Sequence, residues 1–243
     1  MNNSKIKIDH ACGTHVGLVR QGNEDAYFAD PKLGLWVVAD GMGGHQAGEV
    51  ASAIVVQEVP LSVQQGDSLV DAIEMAHEMI QMTSEQVRSS RHMGSTVVAL
   101  QLEGLRYRIA WVGDSRAYLW NGKTLRCLTK DHSYVQTLLD MGMLLEDEVY
   151  THPSRNVISQ GLGVGGMVGN AVRVDQVEGT LALGDTVLLC SDGLTGDIRD
   201  YLIAEILATT RDNQKRLTQL IEAALAFGGA DNVTVILVTP VLA

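Results

Sequence analysis

Four short apolar runs in this 243-residue chain lead into or out of a carboxylate. Leu35-Trp36-Val37-Val38-Ala39 runs into Asp40-Gly41, Ile109-Ala110-Trp111-Val112 into Gly113-Asp114, and Val187-Leu188-Leu189-Cys190 into Ser191-Asp192-Gly193. Near the other end the order reverses, and Gly228-Gly229-Ala230-Asp231-Asn232 opens onto Val233-Thr234-Val235-Ile236. Runs that are apolar at every position read as buried strands. A carboxylate at the mouth of each puts several negative charges on the rim of one core. Such groups repel one another, and at least one takes up a proton unless a cation intervenes. Carboxylate, backbone carbonyl and water ligands suit Mg²⁺ or Mn²⁺ better than zinc. The adjacent glycines allow close backbone approach, so the Gly41 carbonyl is itself a candidate ligand. A single Asp-Gly is ordinarily a turn. Its recurrence at the ends of buried strands is what points to a metal.

The strand-like segments that must position these groups span 33–39, 97–102, 107–112, 117–120, 186–190 and 233–238, each short and bounded by Gly, Asp or Asn. Asn121-Gly122, between 117–120 and 124–128, predicts a two-residue type I′ hairpin. Helical patterns cover 47–56, 135–141, 198–207 and 216–227. Another starts at Ser68, where Leu69, Ala72, Ile73, Ala76, Met79 and Ile80 recur at spacings of three and four. Met75, Met79 and Met82 read as packing residues of that helix. Strands and helices come in groups rather than in strict alternation, which predicts an α+β fold with antiparallel sheets. The stretch 142–170 fits neither period and reads as an irregular flap, and loops of that length are usually functional.

Composition narrows the class further. Hydrophobic residues make up 46%, enough for a substantial core, and no linker or repeat divides the chain, so one domain over 1–243 is expected. Eighteen Lys and Arg against 29 Asp and Glu give a net charge of −11, which argues against nucleic acid as a partner. No apolar run approaches the roughly 20 residues of a membrane span. The first nine residues lack the apolar stretch of a signal peptide. Cys12, Cys127 and Cys190 are odd in number and widely spaced, which suits a reducing, cytoplasmic location. Gly161-Leu162-Gly163-Val164-Gly165-Gly166 satisfies G-x-G-x-x-G, but no strand leads in and no amphipathic helix follows, so a dinucleotide site is not expected.

Together these blocks carry a resemblance. Arg20 with Asn23-Glu24-Asp25, Asp40-Gly41-Met42-Gly43-Gly44-His45, Gly94-Ser95-Thr96, Gly113-Asp114-Ser115-Arg116, Ser191-Asp192-Gly193-Leu194 and Gly229-Ala230-Asp231-Asn232-Val233-Thr234 follow one another in a definite order. That order resembles the metal-dependent protein serine/threonine phosphatases of the PPM (type 2C) family, in their bacterial stand-alone form. Leu128-Thr129-Lys130-Asp131-His132-Ser133 and His152-Pro153-Ser154-Arg155-Asn156 also fall in place. The likeness runs from about Thr14 to Val238. It implies a four-layer α/β/β/α sandwich of two antiparallel sheets flanked by helices, with a two-metal centre at one edge.

By that resemblance, Asp40 bridges two Mn²⁺ or Mg²⁺ ions, the Gly41 carbonyl binds one, and Asp192 and Asp231 complete the shell of the other. Glu24 and Asp25 match acidic positions that hold metal-bound water or metal. Arg20 matches the arginine that grips the substrate phosphate, and Asp114 a ligand of a third, weaker metal. The implied reaction is hydrolysis of phosphoserine and phosphothreonine on proteins by a two-metal-activated water, opposing a bacterial serine/threonine kinase. Phosphorylated proteins are the expected partners, and a monomer the expected state.

The residues agree with that chemistry. Two cations about 3.5–4 Å apart neutralise phosphoryl oxygens and lower the pKa of water towards about 7, so no protein nucleophile is needed. Arg20 offers a planar fork that matches two phosphate oxygens. The general acid is less plain. Met42 stands where eukaryotic relatives carry a histidine, and cannot donate a proton, which leaves His45 or water. His132 and His152 read as structural. The family's second acidic ligand of the third metal, four residues after Asp192, is here Gly196, with Asp197 one residue later. A strand-to-turn backbone would face Asp197 away and a kink at Thr195-Gly196 would swing it inward; the third site is expected to be weak or empty at low Mn²⁺. Two other readings stay open: a catalytically silent, PPM-like phosphoprotein-binding regulator, and a phosphoesterase for small molecules. Retention of Asp25, Asp40, Asp192 and Asp231 speaks against the silent form.

Overall fold

The apolar runs become the central strands of two antiparallel sheets. A computed structural model describes residues 6–43, 46–86, 93–164 and 172–243. Strands β1 (Ile6–His15), β2 (Asp25–Asp30) and β3 (Leu35–Met42) precede helices α1 (Ala47–Gln65) and α2 (Leu69–Gln86). Next come β4 (Gly94–Ser95), β5 (Val97–Glu103), β6 (Arg106–Val112), β7 (Arg116–Trp120) and β8 (Leu125–Cys127), then α3 (Tyr134–Asp140) and α4 (Glu146–Val149). The chain closes with β9 (Asp175–Thr180), β10 (Thr186–Cys190), α5 (Asp192–Thr195), α6 (Asp200–Thr209), α7 (Asn213–Ala226) and β11 (Val233–Leu242). One sheet has the order β1-β11-β10-β7-β8 and the other β2-β3-β5-β6-β9, with β4 paired to β3.

Period-two alternation sorts each central strand between two cores. Leu35, Val37 and Ala39 of β3 face α1 and α2, while Trp36 and Val38 meet Val187, Leu189, Ile236 and Val238 of the other sheet. On that second sheet Leu188, Cys190, Val233, Val235 and Leu237 pack with α5–α7 residues such as Leu194, Ile203 and Leu220. The result is the expected α/β/β/α sandwich.

Several elements differ from expectation. β1, β2 and β9 have no counterpart in the sequence reading. The first two are sheet edges and β9 closes its sheet, so each carries polar residues on a half-exposed face instead of a continuous apolar run. Asn121 and Gly122 belong to a four-residue loop, because Trp120 pairs with Leu125. Only Gly122 takes a positive φ, and the Asn121 side-chain oxygen accepts from Lys123 N–H and Thr124 N–H. That is an Asx-type turn, not type I′. Helix α1 continues nine residues past 56 through Pro60, its buried Val59, Pro60 and Val63 packing against the fold, and ends where Gly66 adopts a left-handed φ of 100°. Met75, Met79 and Met82 lie exposed on α2, whose buried face is Leu69, Ala72, Ile73, Ala76 and Ile80. Of the flap expected over 142–170, the described part holds α4 and isolated bridges Ser133–Ile158 and Ser95–Leu162. The second bridge holds the first glycines of the G-x-G-x-x-G run against β4; Gly165, Gly166 and the flap's end lie outside the described residues.

Candidate active site

Strand parity places the acidic residues. Asp40 shares parity with Trp36 and Val38, so its side chain leaves β3 on the face between the sheets. Asp25 opens β2 directly opposite Asp40 in the ladder. Ser191 follows Leu189, and Thr234 precedes Ile236, with the same inward parity on the other sheet. All four therefore meet at one end of the inter-sheet core. The Ser191 and Thr234 hydroxyls each donate to Asp25 Oδ2 at 2.7 Å, joining the two sheets through one carboxylate. Asp25 Oδ1 is buried with no partner, and so is Asp192 Oδ1.

Around this point lies a cavity of about 420 Å³, lined by Arg20, Glu24, Asp40, Gly41, Asp114, Asp192 and Asp231 among others. Arg20 is the only basic residue among the described lining residues. Burial raises the Asp25 pKa from 3.8 to about 7, against the two hydroxyl bonds, with the charges of Asp192 and Asp231 adding to the rise. Asp40 is pushed well above the carboxylate range by burial and then by Asp25, Asp192 and Asp114. Burial and Asp231 raise Asp192, which shares a hydrogen bond with Asp40. Asp114 is raised by burial and then by Asp192 and Asp131. Glu24, at the rim, is raised by partial burial.

Mutually repelling carboxylates with orphaned oxygens fit divalent cations, which remove the cost of ionising them together. No three described carboxylate, imidazole or thiol groups close tightly around a single point.

Backbone contacts fix the frame. Thr96 N–H donates to the Asp40 carbonyl at 2.8 Å and its hydroxyl accepts from Asp40 N–H at 3.1 Å, so Gly94-Ser95-Thr96 straps the end of β3. Gly41 is required there: a Cβ would collide with the Gly48 and Glu24 carbonyl oxygens, where α1 meets β3. Arg20 stands at the mouth, its Nη2 donating to Asp231 Oδ2 at 2.6 Å. This pair raises the Arg20 pKa further. The other Asp231 oxygen accepts from Asn232 N–H at 2.9 Å.

Of the residues singled out in the sequence, Arg20, Glu24, Asp25, Asp40, Gly41, Asp114, Asp192 and Asp231 converge here. His45 lies outside the described residues. Asp197 turns away, accepting from Ala230 N–H at 3.2 Å. The reason is not a strand-to-turn backbone: Asp192 begins the helical turn α5, and Gly196 sits at its end. Asp131 lies near Asp114, but Arg116 holds both of its oxygens. His132 is a junction, its Nδ1 accepting from Gly113 N–H and facing Gln160. His152 Nδ1 accepts from Ser154 N–H. Ser191, Thr234, Thr96 and Asn232 support the site, and Asn156 and Ile158 reach it from the flap. A hydroxyl inside an otherwise apolar strand, as in Val233-Thr234-Val235, is the one sequence signal that marks such supports.

Comparison with known proteins shows the family and the fold. The family model described as protein phosphatase 2C matches residues 12–226. The serine/threonine phosphatase stp of Listeria monocytogenes is 36% identical over 238 residues, covering 93% of each chain. The crystal structure of the Mycobacterium tuberculosis serine/threonine phosphatase PstP/Ppp superposes with a TM-score of 0.85 at 35% identity, covering 96% of this chain and 98% of that one. A structure of the PstP catalytic domain in complex with two manganese ions gives a TM-score of 0.86 at 34% identity, covering 98% and 100%. The chain belongs to the protein phosphatase 2C family of enzymes.

Proposed function

We propose that the chain hydrolyses phosphoserine and phosphothreonine on proteins through water activated at a two-metal centre, opposing a serine/threonine kinase of its cell. The observation that carries this reading is the convergence of buried carboxylates with unpartnered oxygens on a cavity whose only described basic lining residue is Arg20. Asp40, Asp192, Asp231 and the Gly41 carbonyl would hold two Mn²⁺ or Mg²⁺ ions, with Asp25 and Glu24 as direct or water-mediated partners. Such cations, when bound, neutralise phosphoryl oxygens and bring the pKa of water towards about 7.

The chain's own groups supply the rest. Arg20 uses one N–H on Asp231 and keeps further donors for phosphate, at an exposed mouth that a protein substrate can reach. Thr96 carries the one hydroxyl among the described lining residues. It is engaged with Asp40 N–H and Ser115, which makes it a poor nucleophile and favours water as the attacking group. Met42 lines the cavity without a proton to give, and protonation of the leaving alkoxide falls to water or to His45. Asp114 would be the main protein ligand of a weak third cation, since Gly196 has no side chain to offer and Asp197 is engaged elsewhere. The complete set of acidic residues favours hydrolysis over a silent phosphoprotein-binding role. We read the whole chain as one such domain, acting as a monomer in the cytoplasm.

The test is phosphate release from phosphoserine and phosphothreonine peptides and from p-nitrophenyl phosphate, with Mn²⁺, Mg²⁺ or EDTA. Release that needs the metal and includes the peptides supports the reading. Equal release in EDTA, or none from any peptide, overturns it.

A further inference from the structure

Residues 16–24 carry Arg20 yet form no helix or strand. One buried side chain spans this loop. Asn232, 5% exposed, donates from Nδ2 to the Val16 carbonyl at 2.8 Å and to the Gly22 carbonyl at 2.9 Å. Its Oδ1 accepts from Glu24 N–H at 2.8 Å. Both amide hydrogens and the oxygen are therefore used on the two ends of the arginine loop. The same residue's backbone N–H holds Asp231 Oδ1. Leu18 N–H donates to the Gly229 carbonyl at 2.7 Å, and a Cβ at Gly17 would strike the Asp231 carbonyl, so the two loops pack backbone to backbone.

We infer that Asn232 is a positioning residue for phosphate recognition: it sets the Arg20 loop against the Asp231 loop so that the guanidinium stands over the cavity. This rests on the phosphatase reading, in which Arg20 touches the phosphate. Without the amide, two carbonyls and one N–H turn to solvent, and the segment between Val16 and Glu24 keeps fewer ties. Arg20 then spends less time in its phosphate-binding pose. The loss should fall on binding rather than on turnover of bound substrate.

The experiment is a double-mutant cycle of Arg20→Ala and Asn232→Ala, read as the inhibition constant of inorganic phosphate and as KM and kcat for p-nitrophenyl phosphate with Mn²⁺. Calorimetric Mn²⁺ titration accompanies it. Each single variant should weaken phosphate by about tenfold, the worth of one hydrogen bond to a charged group. The double variant should also show about tenfold rather than a hundredfold, because Asn232 acts through Arg20. Mn²⁺ affinity of Asn232→Ala should stay within about twofold of the parent, a shift the size of the ordinary scatter between independent sites. Multiplicative losses, unchanged phosphate binding, or a parallel collapse of Mn²⁺ binding would each overturn the inference. If Asn232→Ala does not fold, Asn232→Ser carries the same cycle, since it stays neutral and polar at this buried position while losing the reach to both carbonyls. A parent that binds phosphate but hydrolyses nothing refutes the phosphatase reading instead.

Discussion

Asp25 keeps one oxygen under two hydroxyls and leaves the other free between the sheets. Those hydroxyls favour its ionised form against burial, which is the form a cation needs. Thr234→Val keeps the shape of a β-strand residue and removes one donor. It should weaken Mn²⁺ binding about tenfold, since a hydrogen bond to a charged group contributes about 1.5–3 kcal/mol; calorimetric titration reads it, and unchanged affinity would detach Asp25 from the centre. Arg20 gives a second residue-scale expectation. Arg20→Ala should chiefly raise KM on a phosphopeptide, because its contact serves ground and transition states alike. Steady-state kinetics check this, and unchanged KM and kcat would return the arginine to plain surface. Asp40, Asp114, Asp192 and Asp231 were legible because each stands out against an apolar run, whereas Glu24 and Asp25 were reached only through the order of the motifs. Ser191, Thr234 and Asn232 were not legible, because their meaning lies in partners more than 40 residues away, as in the 166-residue separation of Ser191 from Asp25.

At the scale of elements, legibility followed burial. The runs at 33–39, 97–102, 107–112, 186–190 and 233–238 are interior strands with side chains packed on both faces, so their apolar continuity shows in the sequence. β1, β2 and β9 bury one face at most and carry no such signature, although β2 delivers Asp25. Pro60 likewise masks the second half of α1, where packing outweighs the local cost of a proline. The junction of β3 and α1 is where an element-level error would reach the site. Gly41→Ala should push Gly48 and Glu24 apart and destabilise the fold by about 1–3 kcal/mol, as overpacking does. Chemical denaturation would measure this, with weaker Mn²⁺ binding expected alongside. A variant as stable as the parent would show that the two backbones are not so closely joined.

The molecule as a whole stores acidic repulsion at one end of its inter-sheet core. With Asp25 near 7 in the folded chain and 3.8 ordinarily, the folded state holds a proton that the unfolded state has released between those values. The folded state therefore binds more protons, and stability present below 3.8 is lost as the pH rises through about 7. In EDTA the melting temperature should fall from pH 5 to pH 8. With Mn²⁺ the fall should shrink, because the cation takes over from the proton; a flat profile in EDTA would show that Asp25 and the raised carboxylates beside it ionise normally. If the carboxylates act as one metal centre for phosphate hydrolysis, Asp40, whose ionisation Asp25, Asp192 and Asp114 all oppose, is the residue it can least lose. The measurement is phosphate release from a phosphothreonine peptide by Asp40→Asn and by the parent at saturating Mn²⁺. If Asp40 is shared by two cations as proposed, loss of its charge should lower the rate about a thousandfold, or about 4 kcal/mol of transition-state stabilisation. A rate near the parent's, with Mn²⁺ bound, would contradict the account.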